Sequence, residues 1–195
     1  MERTSKYIIF SSVLFFVIII VIVHLIAPQQ YSLSQNTISD LASQNYHYKW
    51  IMQTGFIGFG LILNSGIFIR LKSSKKIIHP DILIMIYGLF ILLSGIFCTE
   101  PFYGSACYSV IQSRIHSIFA TISGFALSFG ILWYVFIKNT PKKRIIHLIF
   151  FILIILFSML FGLAENGTLE LGKGIIQRIM YFLGLAWIVV NYGFF

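Results

Sequence analysis

Charge is what this 195-residue chain has least of: six acidic residues stand against fourteen Lys and Arg, and charged residues of both signs make up 10% of the sequence. A water-soluble fold of this length needs a polar shell that so few charges cannot supply. Disorder is excluded by the opposite deficit, since it requires few aromatics, whereas the chain has 20 Phe, 10 Tyr and 58% hydrophobic residues. Internal repeats, sustained heptads and low-complexity tracts are missing, as are a phosphate loop, a dinucleotide fingerprint, a nucleophile elbow and an HExxH pair. The net charge of +8 does not read as nucleic-acid binding. Its basic residues sit in short clusters between apolar runs, not interleaved on one face.

What remains is a membrane protein. Six apolar runs approach the roughly 20 residues needed to cross a hydrocarbon core of about 30 Å: Tyr7 to Ala27, Tyr48 to Ile69, Ile82 to Phe97, Ile115 to Ile137, Ile145 to Ala164 and Ile175 to Tyr192. The third is shortest and gains a turn if it starts at Pro80. None alternates with period two as the strands of a β-barrel would, so an all-α bundle of six transmembrane helices is expected, as a single domain over residues 1–195. The first run exceeds a signal-peptide core and lacks a small-x-small cleavage site after it, so it reads as a retained span.

The connecting segments sort by charge. Arg3, Lys6, Arg70, Lys72, Lys75, Lys76, Lys138, Lys142, Lys143 and Arg144 fall on one side, with Glu2 and Asp81. The other side carries Lys49, Arg114, Lys173 and Arg178, balanced by Asp40, Glu100, Glu165 and Glu170. The positive-inside rule therefore places both termini in the cytoplasm and the protein in the plasma (inner) membrane as a multi-pass chain. Segments 28–47, 98–114 and 165–174 then lie outside.

Ionisable groups near that outer leaflet are the sharpest signal, because an unpartnered charge in hydrocarbon is costly. Asn36, Ser39 and Asp40 occur in NTISDL, Glu100 precedes Pro101, Arg114 and His116 open the fourth span, and Gln177 and Arg178 open the sixth. Converging, they would line an outward cavity: Asp40 and His116 as acid and base, Ser39 as nucleophile, and Asn36, Glu100, Arg114, Gln177 and Arg178 as ligand-binding groups. The alternative is structural, with Arg114 and Arg178 paired to Asp40, Glu100 or Glu165 as fasteners of helix ends. Cys98 and Cys107 are either a loop-closing disulfide or two free thiols. Ser113, Ser117, Ala120, Gly124 and Ser128 form a small-residue stripe, with His116 beside it toward the interior, and Gln53, Gly60 and Asn64 share a face of the second span. His24, His47, His79 and His147 read as interfacial, the opposite half of the membrane offers only Asn64 and small hydroxyls, and no metal site is expected. Asn166, Gly167 and Thr168 spell a glycosylation sequon.

YSLSQNTISDL, LLSGIFCTEPF, SRIHSIFATISG and GIIQRIMYFLGLAW together resemble the prokaryotic six-span proteins known as DUF998. The resemblance implies functional positions at Ser39, Asp40, Glu100, Pro101, His116, Gln177 and Arg178, and leaves the activity open. A fainter similarity to the multi-span hydrolases that include alkaline ceramidases stops short, because Gln177 and Arg178 stand where a zinc-binding His pair is needed. The expected function is binding or modification of a membrane lipid or other amphiphile without a cofactor. The alternatives are a noncatalytic scaffold, alone or as a homo-oligomer, and a small-molecule transporter. Reporter fusions at Lys75 and Lys142 should read as cytoplasmic and one at Gln44 as exterior; the inverse pattern would overturn the orientation.

Overall fold

The computed structural model describes residues 2–73, 79–104, 107–137 and 140–193. Lys75, Lys76 and Lys138 of the basic clusters lie outside them. In hydrocarbon a backbone must satisfy its own hydrogen bonds, so apolar runs of this length become helices. Six are present: α1 (Glu2–Leu25), α2 (Lys49–Ser73), α3 (Asp81–Ile96), α4 (Val110–Ile137), α5 (Pro141–Glu165) and α6 (Lys173–Gly193). Five are long and apolar enough to span a membrane. The sixteen residues of α3 reach about 24 Å, short of the ~30 Å core. Helix α4 begins five residues ahead of the expected span, because Val110 to Arg114 continue the helix with Val110, Ile111, Gln112 and Arg114 exposed.

Each helix packs on its chain neighbours, and α1 also meets α6, closing a ring. We call the end bearing segments 28–47 and 98–109 the loop end, and the other the basic end. The centre is filled by Phe16, Phe56, Phe59, Tyr87 and Tyr181, whose rings meet at centroid distances of 4.9–6.4 Å. Outward faces are apolar as well: Leu14, Phe125, Phe136, Ile149, Met159 and Phe182 are exposed.

Lipid tails are as apolar as Leu, so helix association depends on close fit and internal hydrogen bonds. Helix α2 obtains both. A side chain at Gly58 would collide with Phe15 of α1, and one at Gly60 with the Gly88 carbonyl of α3. The shared face of Gln53, Gly60 and Asn64 does meet α3. Gln53 donates to Gly95 O at 3.2 Å, and the Asn64 amide bridges Met85 O at 3.0 Å and Leu89 N at 3.1 Å. The stripe on α4 divides. Ser128 is buried, whereas Ser117 is exposed and nothing lies within 4 Å of a side chain added at Gly124.

The ends of α5 are closed locally. Pro141 opens α5, where its missing N–H costs nothing. Gly167, at φ +72°, ends it, with Gly167 N on Ala164 O (3.2 Å) and Thr168 N on Leu163 O (3.0 Å) in a Schellman pair. The sequon's glycine is therefore a helix stop. Gly60→Val should lower thermal stability in detergent by an overpacking cost of about 1–3 kcal/mol. Gly162→Ala, where the added carbon meets nothing within 4 Å, should cost none.

Candidate functional site

The loop end is organised by the N-terminus of α6, whose first N–H groups need acceptors. Ser34 O supplies one, taking Gly174 N at 2.9 Å, and a side chain at Gly174 would overlap the Asn36 and Leu33 carbonyls. One turn into α6, Arg178 reaches back over the same segment. Its Nη1 donates to Leu33 O (2.8 Å), Asn36 O (2.9 Å) and Gly174 O (2.8 Å). Its Nη2 donates to His24 Nε2 at 2.9 Å and to the Tyr31 hydroxyl. His24 Nδ1 lies 2.6 Å from Ile20 O, so that nitrogen carries the proton and Nε2 accepts. The guanidinium also lies over the Tyr31 ring, 5.7 Å from its centroid. Burial pushes the Tyr31 phenol up to about 12, and the neutral hydroxyl passes a bond to Thr37 O at 2.8 Å.

Gln177 continues the clasp, accepting from Ile38 N at 2.7 Å and donating to Ser39 Oγ at 3.5 Å. Asn36 Oδ1 closes its own turn on Ser32 N at 2.8 Å. Asp40 and Thr37 form a reciprocal box around the short 3-10 turn Ser39–Ala42. Asp40 Oδ2 accepts from Thr37 N (2.8 Å) while Asp40 N donates to Thr37 Oγ1 (3.1 Å). Burial outweighs these bonds and the charge of Lys173, and holds the Asp40 carboxyl above its usual value.

Asn36, Ser39, Asp40, Gln177 and Arg178 therefore come together. His116 is buried beyond them, 3% exposed, with Nδ1 2.8 Å from Ser94 O and 3.0 Å from Phe97 O. It caps the short α3 by donating to carbonyls that the helix end leaves open. Nε2 is then the acceptor, but among the described residues no hydroxyl is bonded to it. Ser39 Oγ has Gln177 as its partner, and neither Asp40 nor His116. Glu100 and Arg114 stand apart from this group. Glu100 is exposed and takes a bond from Tyr108 at 3.3 Å; Arg114 is exposed, with no ion pair among the described residues. Glu165 pairs with Lys173 at 3.3 Å, and not with either arginine. The Cys98–Cys107 bridge is not formed: Cys98 is a buried thiol and Cys107 an exposed one.

Two features escaped the sequence reading. The first is a hollow of about 240 Å³ at the loop end, lined by Gln44, Asn45, Lys49, Pro101, Cys107 and Gln112. The Gln44 amide grips the Ser109 backbone twice, at 2.8 and 2.9 Å. Asn45 donates to Tyr103 O at 2.6 Å, and Lys49 Nζ to Gln44 O at 3.0 Å. The aromatic cluster Tyr46, Tyr48 and Trp50 around Lys49 was the available signal, since such belts mark the membrane interface.

The second is a node at the basic end. Asp81, reckoned above as a loop charge, is the first residue of α3 and 0% exposed. Its carboxylate takes Arg70 Nε at 3.0 Å and the hydroxyls of Tyr192 (2.7 Å) and Tyr134; His79 Nδ1 lies 3.2 Å away. Beside it, Trp187 Nε1 donates to His147 Nδ1 at 2.9 Å. That half of the protein is richer than Asn64 and small hydroxyls. Among the described residues no group of three or more His, Cys, Asp or Glu gathers as a metal site.

The profile of the family described as "Protein of unknown function (DUF998)" matches residues 10–191. The chain belongs to that family. Neither the curated proteins nor the solved structures contain a match.

Arg178→Met strips the donor from the Leu33 and Asn36 carbonyls, at roughly 1–3 kcal/mol for each group left buried. It should lower the melting temperature and open segment 28–47 to protease. Arg178→Lys restores charge without the fork, and should rescue only in part. Asp40, with a raised folded-state pKa, contributes stability that is complete below pH 3.8 and lost as pH rises through the folded value. Asp40→Asn should flatten the pH dependence of melting over that window.

Proposed function

We propose that this DUF998 member is a six-span plasma-membrane protein, both termini cytoplasmic, that binds the headgroup of an outer-leaflet phospholipid without modifying it. The observation that carries the reading is the hollow around Lys49. It sets the Lys49 ammonium and the Gln112 amide beside Gln44 and Asn45, whose amides also hold the loop backbone; the remaining N–H hydrogens of this set suit a phosphate and its ester oxygens. Beside it Trp50 is 59% and Ile111 70% exposed, apolar surface on which acyl chains rest while the headgroup enters. Binding without chemistry is favoured because Asp40, His116 and Ser39 each have a structural partner and do not bond to one another, so no activated nucleophile is assembled.

A scaffold reading has one observation of its own, the open α4 stripe at Ser117 and Gly124, where another helix would fit closely. A transporter finds less support, because the polar nodes at the two ends are separated by the apolar centre. Gently extracted protein, analysed by native mass spectrometry, should retain phospholipid. Lys49→Gln should lower severalfold the occupancy of one bound phospholipid, the one held at the hollow, with an unchanged melting temperature. Equal retention by wild type and variant would overturn the site; a retained protein partner or dimer with no lipid would favour the scaffold.

A further inference from the structure

The seam between α1 and α6 holds a second site. The helices touch at Gly193 and Phe10, where a side chain on the glycine would meet the ring at 2.7 Å. They touch again where Phe16 meets Tyr181, centroids 5.6 Å apart. Between these points they part. A groove of about 290 Å³ opens there, lined by Phe10, Val13, Leu14, Val17 and Val189. Leu14 and Val17 are 62% and 41% exposed, so the groove faces the membrane and not the bundle interior.

The sequence of α1 gives the groove a polar head. Arg3, Lys6, Phe10, Val13 and Val17 recur at intervals of three and four, one stripe of a helix. Arg3 is exposed. Lys6 Nζ bonds to Gly193 O and lies 5.7 Å from the Phe10 centroid, above the groove. From Lys6 to Val17 the helix rises about 16 Å, close to half the ~30 Å hydrocarbon core. The stripe thus puts two cations at one membrane surface and an apolar channel running from them to about mid-bilayer.

We infer that the α1–α6 groove seats one acyl chain of an anionic phospholipid from the leaflet at the basic end, with its phosphate held by Arg3 and Lys6. The site shares no residue with the hollow around Lys49 and lies at the opposite end of the helices, so either stands if the other fails. An anionic headgroup fits because Arg3 and Lys6 lie on the same stripe of α1 that leads into the groove.

The test uses the full-length chain in nanodiscs of phosphatidylglycerol and phosphatidylcholine in equal parts, released into native mass spectrometry. The wild type should keep phosphatidylglycerol in preference to phosphatidylcholine. The double variant Arg3→Gln/Lys6→Gln should weaken that retention roughly 30-fold, the loss expected of two basic residues at an anionic surface. Val189→Trp, which fills the groove from α6, should abolish the same bound lipid, and Leu14→Trp, from α1, serves if the first variant melts early. Lys49→Gln should leave this lipid in place. Unchanged retention in the double variant and in a folded tryptophan variant would overturn the site. So would a dimer that the tryptophan disperses, because a second copy would then be the occupant.

Discussion

A carboxylate with no exposure to solvent is tolerable only if the chain itself supplies its solvation, and the basic end of this protein is arranged around that need. Asp81 is held by Arg70 from α2, Tyr134 from α4 and Tyr192 from α6. Removing one partner would leave a charge without its hydrogen bonds, so the node penalises displacement of any of these helices. Its place at the first turn of α3 adds the favourable field of the helix N-terminus.

The loop end solves the mirror problem with a cation. Arg178 is surrounded mainly by backbone carbonyls, and so fixes the course of a segment more than the pairing of helices. That segment is in turn stitched to its neighbour by Thr99 on Ser39 O (3.1 Å) and by Asn45 on Tyr103 O (2.6 Å). Polar residues gathered at this end thereby form a folded cap beside the hollow around Lys49.

The helices were legible in the sequence because hydrocarbon leaves the backbone few alternatives, and apolar length alone reports them. The shared face of Gln53, Gly60 and Asn64 was legible for a related reason: spacing fixes which side chains travel together. Spacing does not say what they meet, so one α4 stripe could seat Ser128 in the bundle and leave Gly124 open. Asp81 was misread because charge counting assigns any acid beside a basic cluster to water, and only the convergence of three distant helix ends reveals its burial. The backbone bonds of Asp40 and His116 were hidden similarly. A carboxylate and an imidazole at helix ends serve capping as readily as proton transfer, and the choice rests on whether the atoms opposite are backbone groups or a reacting hydroxyl.

Because every helix packs on its chain neighbours, nearly all contacts of the ring can form in the order in which the chain is made. Low sequence separation makes such pairs quick to close. The α1–α6 seam is the exception, joining residues as distant as Lys6 and Gly193. Segment 28–47 emerges early but receives its partners Gly174, Gln177 and Arg178 only when α6 arrives. Helix α6, made after the other five, thus completes segment 28–47, whose carbonyls wait on Arg178 and the α6 N-terminus for their partners.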